Sequence, residues 1–335
     1  MAVQKTILLT GGAGYIGSHM NKYLSEKGYK TVVFDNLVKG HKEFVKWGEL
    51  VEGDLLNGAE LNSVFTRFKI DAVIHFAALS YVGESVADPA KYYKNNIAGT
   101  QNLLDAMLRN NVKTIIFSST AATYGTPKKM PIKEDVYTSP INPYGHTKLA
   151  IEWMLGDYSK AYDLKFCALR YFNAAGADPK AEIGEWHTPE THLIPLVLDA
   201  ALGLRENITI FGEDYATRDG TNVRDYIHVN DLASAHLLAL EYLNTGGQSD
   251  VFNLGTGHGY TNKEVVEEAK KITGVDFKVI IGERRPGDPD ELVADSSKAQ
   301  ATLKWKPEHS DLQNIISTAW NWHKKKFSTE YANRR

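Results

Sequence analysis

Cysteine is almost absent from the sequence: Cys167 is the single one among 335 residues. One cysteine excludes a disulfide within the chain, and its place in the apolar run 165–170 predicts a buried, inert thiol. We find no cluster of cysteine and histidine residues that would support a metal site. Neither a disulfide framework nor a bound metal is therefore expected.

Long apolar runs and an excess of charge of one sign are also missing. No stretch of about 20 uncharged apolar residues offers a membrane span. An apolar strand begins within a few residues of Met1, which leaves no room for a signal peptide. The net charge of −3 argues against a dedicated nucleic-acid-binding protein. We therefore expect a cytoplasmic protein without nucleic-acid or membrane partners, long enough for two domains.

Residues 5–24 show the pattern of a strand, a glycine turn and a helix in succession. Gly11, Gly14 and Gly17 have the spacing G-x-x-G-x-x-G, a variant of the dinucleotide-binding fingerprint. Such glycines let a pyrophosphate approach the backbone, and the positive end of the following helix attracts its charge. The segment therefore predicts a dinucleotide site.

A second apolar run, 31–34, ends in Asp35, where an acidic residue is expected to meet the adenosine ribose. An aspartate at this place favours NAD over NADP. The alternative is an ordinary strand-to-helix turn followed by a capping aspartate. Because the whole βαβ unit is present, cofactor binding is the favoured interpretation.

Further strand-like runs at 71–77, 113–118 and 166–172 alternate with segments of helical periodicity. This alternation predicts an α/β fold: a doubly wound parallel sheet of Rossmann type with helices on both faces. Ligands of such sheets bind beyond the carboxyl ends of the strands. We therefore expect residues 1–173 to form an NAD-binding domain.

Residues 174–335 are expected to form a smaller α/β substrate domain, because a stretch rich in glycine and proline begins at 174. An alternative for its segment at about 225–258 is that it packs back on the first domain. Thr261 and Glu264 form a capping box that fixes the start of one helix. The predicted helices of this half are at about 190–204, 231–242, 261–273 and 311–325.

Tyr144 and Lys148 lie four residues apart at the start of a predicted helix, hence on one face. A neighbouring ammonium, helped by a cationic nicotinamide ring, lowers the pKa of a phenol from its usual value of about 10 and makes it a usable base. The hydroxyl of Thr120, at a strand end upstream, is placed to share a substrate hydroxyl with Tyr144. A tyrosine and a lysine at this spacing are common by chance, but the order of the three motifs favours hydride chemistry at an alcohol carbon.

At this point the chain resembles the extended short-chain dehydrogenase/reductase family, and within it the enzymes that epimerise UDP-hexoses at C4. The resemblance runs from about residue 7 to residue 322. The segments that carry it are 210–215 (IFGEDY), 219–221 (DGT), 223–229 (VRDYIHV), 170–174 (RYFNA), 191–195 (THLIP) and 285–288 (RPGD).

The resemblance implies that the chain interconverts UDP-glucose and UDP-galactose by reversible hydride transfer at C4, through a 4-keto intermediate and with tightly bound NAD. It implies Tyr144 as the base that takes the O4 proton, with Lys148 and Thr120 as the other catalytic residues. Most relatives are homodimers, and the helices at about 96–109 and 145–161 are the expected contact faces.

The motifs and the resemblance together imply two sets of binding residues. The cofactor set lies on the glycine turn and near the strand ends: Gly11, Gly14, Tyr15, Ile16, Gly17, Asp35, Asn36, Asp54, Leu55, Phe76, Ala77, Ala78, Asn95, Ser118, Tyr144, Lys148 and Tyr171. The substrate set is Thr120, Tyr144, Asn173, His192, Leu193, Ile210, Phe211, Arg224, Arg285 and Asp288. Two arginines suit the two charges of a diphosphate; the alternative for Arg224 is a structural pair with Asp225 or Asp231.

Some positions differ from the pattern of many epimerases. Thr120 replaces a serine and keeps the hydroxyl, whereas His192 replaces an asparagine and Ser80 a lysine. Leu292 stands where some relatives have a tyrosine that excludes 2-acetamido sugars, so UDP-N-acetylhexosamines are an alternative substrate class. Epimerisation of UDP-uronic acids is another alternative.

Two further functions are less favoured. A nucleotide-sugar 4,6-dehydratase needs an acid and a base beside the hydroxyl, and residues 121–124 (AATY) contain no carboxylate. A catalytically silent NAD sensor would have no need of Tyr144, Lys148 and Thr120, all of which are present.

Overall fold

A computed structural model describes residues 4–285 and 288–332 of the chain. The strands, in chain order, are β1 (Thr6–Thr10), β2 (Lys30–Asp35), β3 (Glu49–Glu52), β4 (Ala72–His75), β5 (Thr114–Thr120), β6 (Lys165–Tyr171), β7 (Asn173–Ala175), β8 (Asn207–Phe211), β9 (Val223–Arg224), β10 (Tyr226–His228), β11 (Asp250–Leu254), β12 (Tyr260–Thr261), β13 (Lys278–Gly282) and β14 (Glu291–Leu292).

The α-helices, in chain order, are α1 (Tyr15–Glu26), α2 (Gly58–Arg67), α3 (Val82–Ala87), α4 (Pro89–Tyr92), α5 (Gly99–Arg109), α6 (Pro143–Tyr162), α7 (Leu193–Ala201), α8 (Val229–Asn244), α9 (Asn262–Thr273), α10 (Ser297–Leu303) and α11 (Leu312–Ala332). A π-helix at Tyr93–Ala98 runs directly into α5, and short 3₁₀ helices lie at Lys42–Phe44 and Ala121–Thr123.

The central sheet has seven parallel strands in the order β11-β6-β5-β4-β1-β2-β3. Successive side chains of a strand point to opposite faces: Ile7 and Leu9 enter a core shared with α1 and α8, whereas Leu8 enters a core shared with α2, α5 and α6. Both faces are covered, as a buried parallel sheet requires. The predicted doubly wound α/β fold is confirmed.

A smaller unit lies beyond the carboxyl ends of β6 and β11. It contains the paired strands β8 and β13, the three-stranded sheet β12-β9-β14 and a core between α7, α9 and α11. The chain returns to the large sheet between these parts, because β11 pairs with β6 and α8 packs against α1. Residues 229–254, which contain α8 and β11, thus pack on the large sheet.

Most predicted helices are confirmed to within a few residues, and the capping box of Thr261 and Glu264 is present at the start of α9. The helix expected from about 190 is wrong at its start, since α7 begins at Leu193. Glu190 accepts hydrogen bonds from the backbone N–H groups of Thr191 and His192, which holds these residues outside the helix. The last helix is longer than expected and ends at Ala332.

The prediction for Cys167 is confirmed: the side chain is buried, and burial raises the pKa of its thiol to about 12. A thiol with such a pKa stays protonated and unreactive at neutral pH. None of the helices formed by residues 4–285 and 288–332 combines the length and the apolarity of a membrane span.

Candidate active site

The glycine turn after β1 is closely packed against the start of the loop after β4. Gly11 has φ +73°, and a Cβ at this position would lie 2.5 Å from the backbone nitrogen of Ala77. A Cβ at Gly17 would collide with the carbonyl oxygen of Gly11. These two positions therefore accept only glycine without a shift of the backbone. The turn brings Phe76 and Ala77 beside the start of α1.

The start of α1 has the properties of a diphosphate site. Gly14 is its N-cap and makes no side-chain capping bond, and the first turn of the helix holds no acidic residue. Its backbone N–H groups and the positive end of the helix dipole are thus not matched by a side chain. The residues fit the pyrophosphate of a dinucleotide.

Asp35, at the carboxyl end of β2, borders this turn. One carboxylate oxygen accepts a 3.0 Å hydrogen bond from the N–H of Ala13 and the other a 2.9 Å bond from Leu37. Burial raises the pKa of Asp35, and the two backbone donors act against that rise. The Asp35 carboxylate therefore holds the glycine turn and the residues after β2 in place, and its contact with an adenosine ribose stays a prediction.

Other residues of the predicted cofactor set lie around the same edge of the sheet. Asn36 donates to Asp54 at 3.0 Å beyond β2, which brings these two predicted residues into contact. Asn95 lies in the π-helix and donates to Asn96, which in turn binds the backbone of Leu79. The Tyr15 hydroxyl donates to the carbonyl of Gly176 at 2.5 Å, so its side chain ties the glycine turn to the loop after β7.

Tyr144 and Lys148 are both on α6, close to its start at Pro143, and Thr120 ends β5. Tyr144 is half-buried, and the Thr120 side chain is near enough to the phenol to lower its pKa. The Lys148 ammonium lies 6.0 Å from the centre of the Tyr144 ring and donates to the carbonyl of Ser118 at 2.8 Å. The structure thus brings the three predicted catalytic residues together.

The pKa of Tyr144 is raised in the protein by itself, so its lowering by Lys148 together with a cationic nicotinamide ring stays a prediction. Burial raises the pKa of Tyr144 to about 12, and the hydrogen bond to Thr120 only partly opposes this. Burial also lowers the pKa of Lys148 to about 7, against the attraction of Glu152. Desolvation disfavours both charged forms, so a phenolate here needs a further positive charge beside the ring.

A buried ion pair behind Lys148 was missed by sequence reasoning. Glu152 lies one helical turn after Lys148 and accepts two hydrogen bonds from Arg170, at 2.9 and 2.5 Å, and one from Ser119. Bidentate pairs of this kind fix both side chains. The i, i+4 spacing of Lys148 and Glu152 was visible in the sequence, but the partner Arg170 lies on the neighbouring strand β6.

His236 was also missed, because it lies on α8 and far from every motif. Its ring is 2.9 Å from the Ser118 hydroxyl, and it packs against Phe76 and Tyr171 at centroid distances of 4.9 and 6.4 Å. Burial lowers the pKa of His236 to about 4, so the ring is neutral at neutral pH. It orients three residues of the predicted cofactor set.

Apart from Thr120 and Tyr144, the residues predicted to bind the nucleotide sugar lie in the smaller unit. Arg224 donates to Asp288 at 2.5 Å, and Asn222 donates to the other oxygen of the same carboxylate at 2.7 Å. The alternative pairing of Arg224 with Asp225 or Asp231 is therefore wrong. Asp225 accepts instead from Thr256, Gly257 and Ala294, and Asp231 from residues 308–310.

Phe211 and Arg285 form a second pair in this unit, with the guanidinium 4.0 Å from the centre of the ring. Pro286 and Gly287, which belong to the same sequence motif, lie outside the described residues. Ile210 is buried beside Phe211 on β8. Asn173 on β7 donates to the carbonyl of Asp225 at 3.2 Å, so the end of β6, the residues of β7 and Arg224 are neighbours. The hydrogen bond between Asn173 and Asp225 thus joins the end of β6 in the large sheet to the segment that contains Arg224.

His192 and Leu193 lie at the start of α7. The Nδ1 atom of His192 is 2.9 Å from carboxylate oxygens of both Glu185 and Glu190, with His187 in the same cluster. This loop therefore holds a cluster of glutamates and histidines, whereas only clusters of cysteine and histidine were considered from the sequence. Its signal was the spacing E-x-H-x-x-E-x-H, which a search for cysteine-containing motifs passes over.

The chain matches the sequence model of the NAD dependent epimerase/dehydratase family over residues 7–255. It is 54% identical over 327 residues to the UDP-glucose 4-epimerase of Halalkalibacterium halodurans, which covers 97% of this chain and 98% of that protein. The crystal structure of UDP-glucose 4-epimerase from Brucella ovis in complex with NAD is similar, with a TM-score of 0.93, 51% identity and coverage of 95% of this chain and 98% of that one. The enzyme of Bifidobacterium longum, solved with NAD+ and UDP, has a TM-score of 0.90 and 40% identity over 96% and 98% of the two chains.

Proposed function

Because the chain belongs to the NAD dependent epimerase/dehydratase family, we propose that it interconverts UDP-glucose and UDP-galactose by reversible oxidation at C4 of the hexose. The observation that carries the proposal is the meeting of Tyr144, Thr120 and Lys148 beside the glycine turn. It occurs in a chain similar over nearly its whole length to proteins named for this reaction.

Bound NAD supplies the two-electron acceptor and donor that the reaction needs. Gly11 and Gly17 would leave room for its pyrophosphate at the start of α1, and Asp35 would bind the adenosine ribose; the close packing of the glycine turn and the bond from Ala13 to Asp35 support this. The residues of the chain move and hold protons. Tyr144 takes the proton of O4 as C4 is oxidised and gives it back when the 4-keto sugar is reduced on its other face, while Thr120 hydrogen-bonds the same oxygen.

The pKa of Tyr144 sets a condition on this step. Burial holds it at about 12 in the protein alone, and a general base works best with a pKa near the working pH. A protonated Lys148 and the cationic nicotinamide would both stabilise the phenolate. The buried pair of Glu152 and Arg170 supports this arrangement because Glu152 favours the charged form of Lys148.

The nucleotide part of the substrate is assigned to the smaller unit. Arg224 and Arg285 would contact the diphosphate, and Phe211 would lie near the uracil. Arg224 is held by Asp288 and by the carbonyl of Val223, so its guanidinium is fixed before the substrate arrives. Fixed donors of this kind lower the entropic cost of binding a diphosphate. Asn173, which follows Tyr171 closely in the chain and donates to Asp225, would contact the sugar.

UDP-N-acetylhexosamines are a second candidate substrate class, favoured by the position of Leu292. Leu292 pairs in register with Arg224 on the neighbouring strand, so it lies beside the proposed diphosphate site. A leucine leaves more room for an acetamido group than a tyrosine would. Turnover of UDP-N-acetylglucosamine by the purified protein tests this candidate, and its absence would count against it.

The test of the proposed function is to incubate the purified protein with UDP-galactose and no added cofactor. We expect UDP-glucose to form and a nicotinamide dinucleotide to be released on denaturation. The Tyr144→Phe variant should bind the same cofactor without forming UDP-glucose. No interconversion by a folded protein that contains NAD would refute the proposal.

We further propose a cytoplasmic homodimer. Trp153 on α6 is 63% exposed and Tyr162, at the end of the same helix, is 50% exposed, whereas large aromatic side chains are usually buried. A second copy of the chain would cover this face. Light scattering should give the dimer mass for the protein and the monomer mass for Trp153→Glu, and a monomeric unmodified protein would contradict the proposal.

A further inference from the structure

Four side chains with metal-ligating atoms converge in the loop before α7. They are Glu185, His187, Glu190 and His192, and one ligand atom from each lies within 4.8 Å of the others. This is the one such group in the part of the chain that the structure describes. The proposed reaction makes no use of Glu185, His187 or Glu190.

The distances in the cluster fit a tetrahedral ion. His192 Nδ1 lies 2.9 Å from Oε1 of Glu185 and 2.9 Å from Oε1 of Glu190. His187 Nδ1 lies 3.3 Å from Oε1 of Glu185 and 3.3 Å from Oε2 of Glu190. Ligands about 2.0–2.1 Å from a zinc ion at tetrahedral angles are separated by about 3.3 Å. These distances join five atoms, because Glu190 faces His192 with Oε1 and His187 with Oε2. One ion would take the two Nδ1 atoms, Oε1 of Glu185 and one of the two oxygens of Glu190.

The hydrogen bonding of His187 also points to an ion. Its Nδ1 atom is buried and has no hydrogen-bond partner, although two carboxylate oxygens lie 3.3 Å away. The nitrogen is thus close to both oxygens but not directed at either one. Buried polar nitrogen atoms without a partner are uncommon and costly, and a metal at the common centre would satisfy this one.

The loop is held on both sides, so the ligands do not depend on a mobile backbone. The carbonyl of Glu185 accepts from the indole N–H of Trp322 on α11 at 3.0 Å. The ring of Trp186 stacks on His41 at 3.7 Å. The ring of His187 packs edge-on against Tyr15 of the glycine turn and against Tyr81. Such packing fixes ligand rings before an ion binds.

The rival explanation is that the cluster binds no metal ion and that two protonated histidines form ion pairs with the two glutamates. Burial opposes protonation of both histidines, but the two carboxylates outweigh it and raise the pKa of His187 to about 9 and that of His192 to about 10. Two imidazolium ions would then balance two carboxylates. A divalent ion with two neutral imidazoles gives the same total charge, so the charge balance does not distinguish them.

We propose that Glu185, His187, Glu190 and His192 bind one divalent transition-metal ion in a closed structural site. Two imidazole nitrogens and two carboxylate oxygens are a ligand set that zinc accepts. Four protein ligands leave no open position for substrate, which is typical of structural rather than catalytic sites. The ion would tie the start of α7 to the glycine turn through His187 and Tyr15.

The proposal is tested on the untagged protein after dialysis against a chelator. We expect calorimetry to show about one Zn²⁺ per chain, and Co²⁺ to give the intense visible bands of tetrahedral coordination. His187→Asn and Glu190→Gln should each weaken Zn²⁺ binding by roughly 100-fold, since loss of a ligand exceeds the 10- to 100-fold effect of an outer-shell change. The control His258→Asn removes an exposed histidine outside the cluster and should bind Zn²⁺ as the unmodified chain does.

Thermal unfolding gives a second measurement that does not depend on activity. Zn²⁺ should raise the Tm of the unmodified chain and of His258→Asn but not that of His187→Asn, because an ion stabilises only the state that binds it. The proposal is overturned if the chelated protein binds no Zn²⁺, or if both cluster variants bind it as tightly as the control. If the variants do not fold, the Co²⁺ spectrum of the unmodified chain decides, and weak octahedral bands would refute the site.

Discussion

The carboxyl edge of the seven-stranded sheet and the smaller unit beyond it position their side chains in different ways. At the sheet edge, Asp35 and Thr120 are the last residues of β2 and β5, and Phe76 directly follows β4. In the smaller unit, Arg224 is held by Asp288, far along the chain, and Phe211 is covered by Arg285. The first region uses a repeated backbone geometry, and the second uses individual side-chain pairs.

The two regions are also proposed to have different roles in the reaction. The sheet edge holds the groups proposed for the chemical step, where fixed geometry matters most. The smaller unit holds the groups proposed for the nucleotide, where charge and shape matter. The two regions meet where β6 ends at Tyr171 and β7 begins at Asn173. Substitutions in the first region should therefore change kcat, and substitutions in the second should change KM.

The largest effect is expected for Tyr144→Phe at the sheet edge. Loss of a general base lowers kcat by about 10²- to 10⁴-fold, and KM should stay close to its original value. Steady-state kinetics with UDP-galactose measures both constants, and the nicotinamide content of the purified variant shows that its cofactor site is intact. A variant with unchanged kcat would contradict the proposal that the sheet edge carries out the chemical step.

Arg224→Met should give the next largest effect, which is a rise in KM for the UDP-hexose. Loss of the proposed charge pair between Arg224 and the substrate diphosphate should cost about 2–3 kcal/mol of binding free energy, or roughly 30- to 150-fold in affinity for the substrate. The matched control is Arg218→Met, which removes an arginine paired with Glu264 on the surface of the same unit. A fall in kcat at unchanged KM would place Arg224 in the chemical step instead.

Gly17→Ala tests the close packing of the glycine turn, and the measured quantity is the free energy of unfolding. The added Cβ would meet the carbonyl of Gly11, so we expect a loss of roughly 1–3 kcal/mol in the free energy of unfolding, as for other overpacked sites. The control is Gly58→Ala at the start of α2, where a Cβ would have no neighbour within 4 Å. Denaturant unfolding of both variants measures the difference, and equal stabilities would contradict the packing described.

The smallest effect is expected for Leu292→Tyr, which tests whether the smaller unit selects between UDP-hexoses and UDP-N-acetylhexosamines. A bulky ring beside Arg224 should lower the ratio of UDP-N-acetylglucosamine to UDP-glucose turnover by about 10-fold, the lower range of steric discrimination. Both substrates are assayed with the same variant, so the ratio is independent of its overall activity. An unchanged ratio would remove Leu292 from the substrate site.

Sequence periodicity predicted the sheet edge well because its geometry repeats. The strands that end at Asp35, His75 and Thr120 could be located from their apolar runs and the residues that follow them. The pairing of Arg224 with Asp288 could not be predicted, since it depends on how β9 and β14 align. The effect of burial on Tyr144 was missed for a similar reason: the sequence shows the neighbouring lysine but not the depth of the phenol.

The histidine cluster was missed for another reason. Its four residues are close in sequence, but each can be read as an ordinary loop residue before α7. The contacts of His236 with Ser118 and of Arg170 with Glu152 could not be predicted, because they join different elements of the fold. Long-range side-chain contacts are therefore what the structure adds to the sequence.

The most direct test of the central claim uses UDP-galactose labelled with deuterium at C4 in ordinary water. Reversible oxidation and reduction at C4 predicts UDP-glucose that keeps the deuterium at C4, as proton NMR of the product would show, and no product with Tyr144→Phe. Loss of the deuterium to water, or a folded and NAD-containing protein that forms no UDP-glucose, would contradict the account.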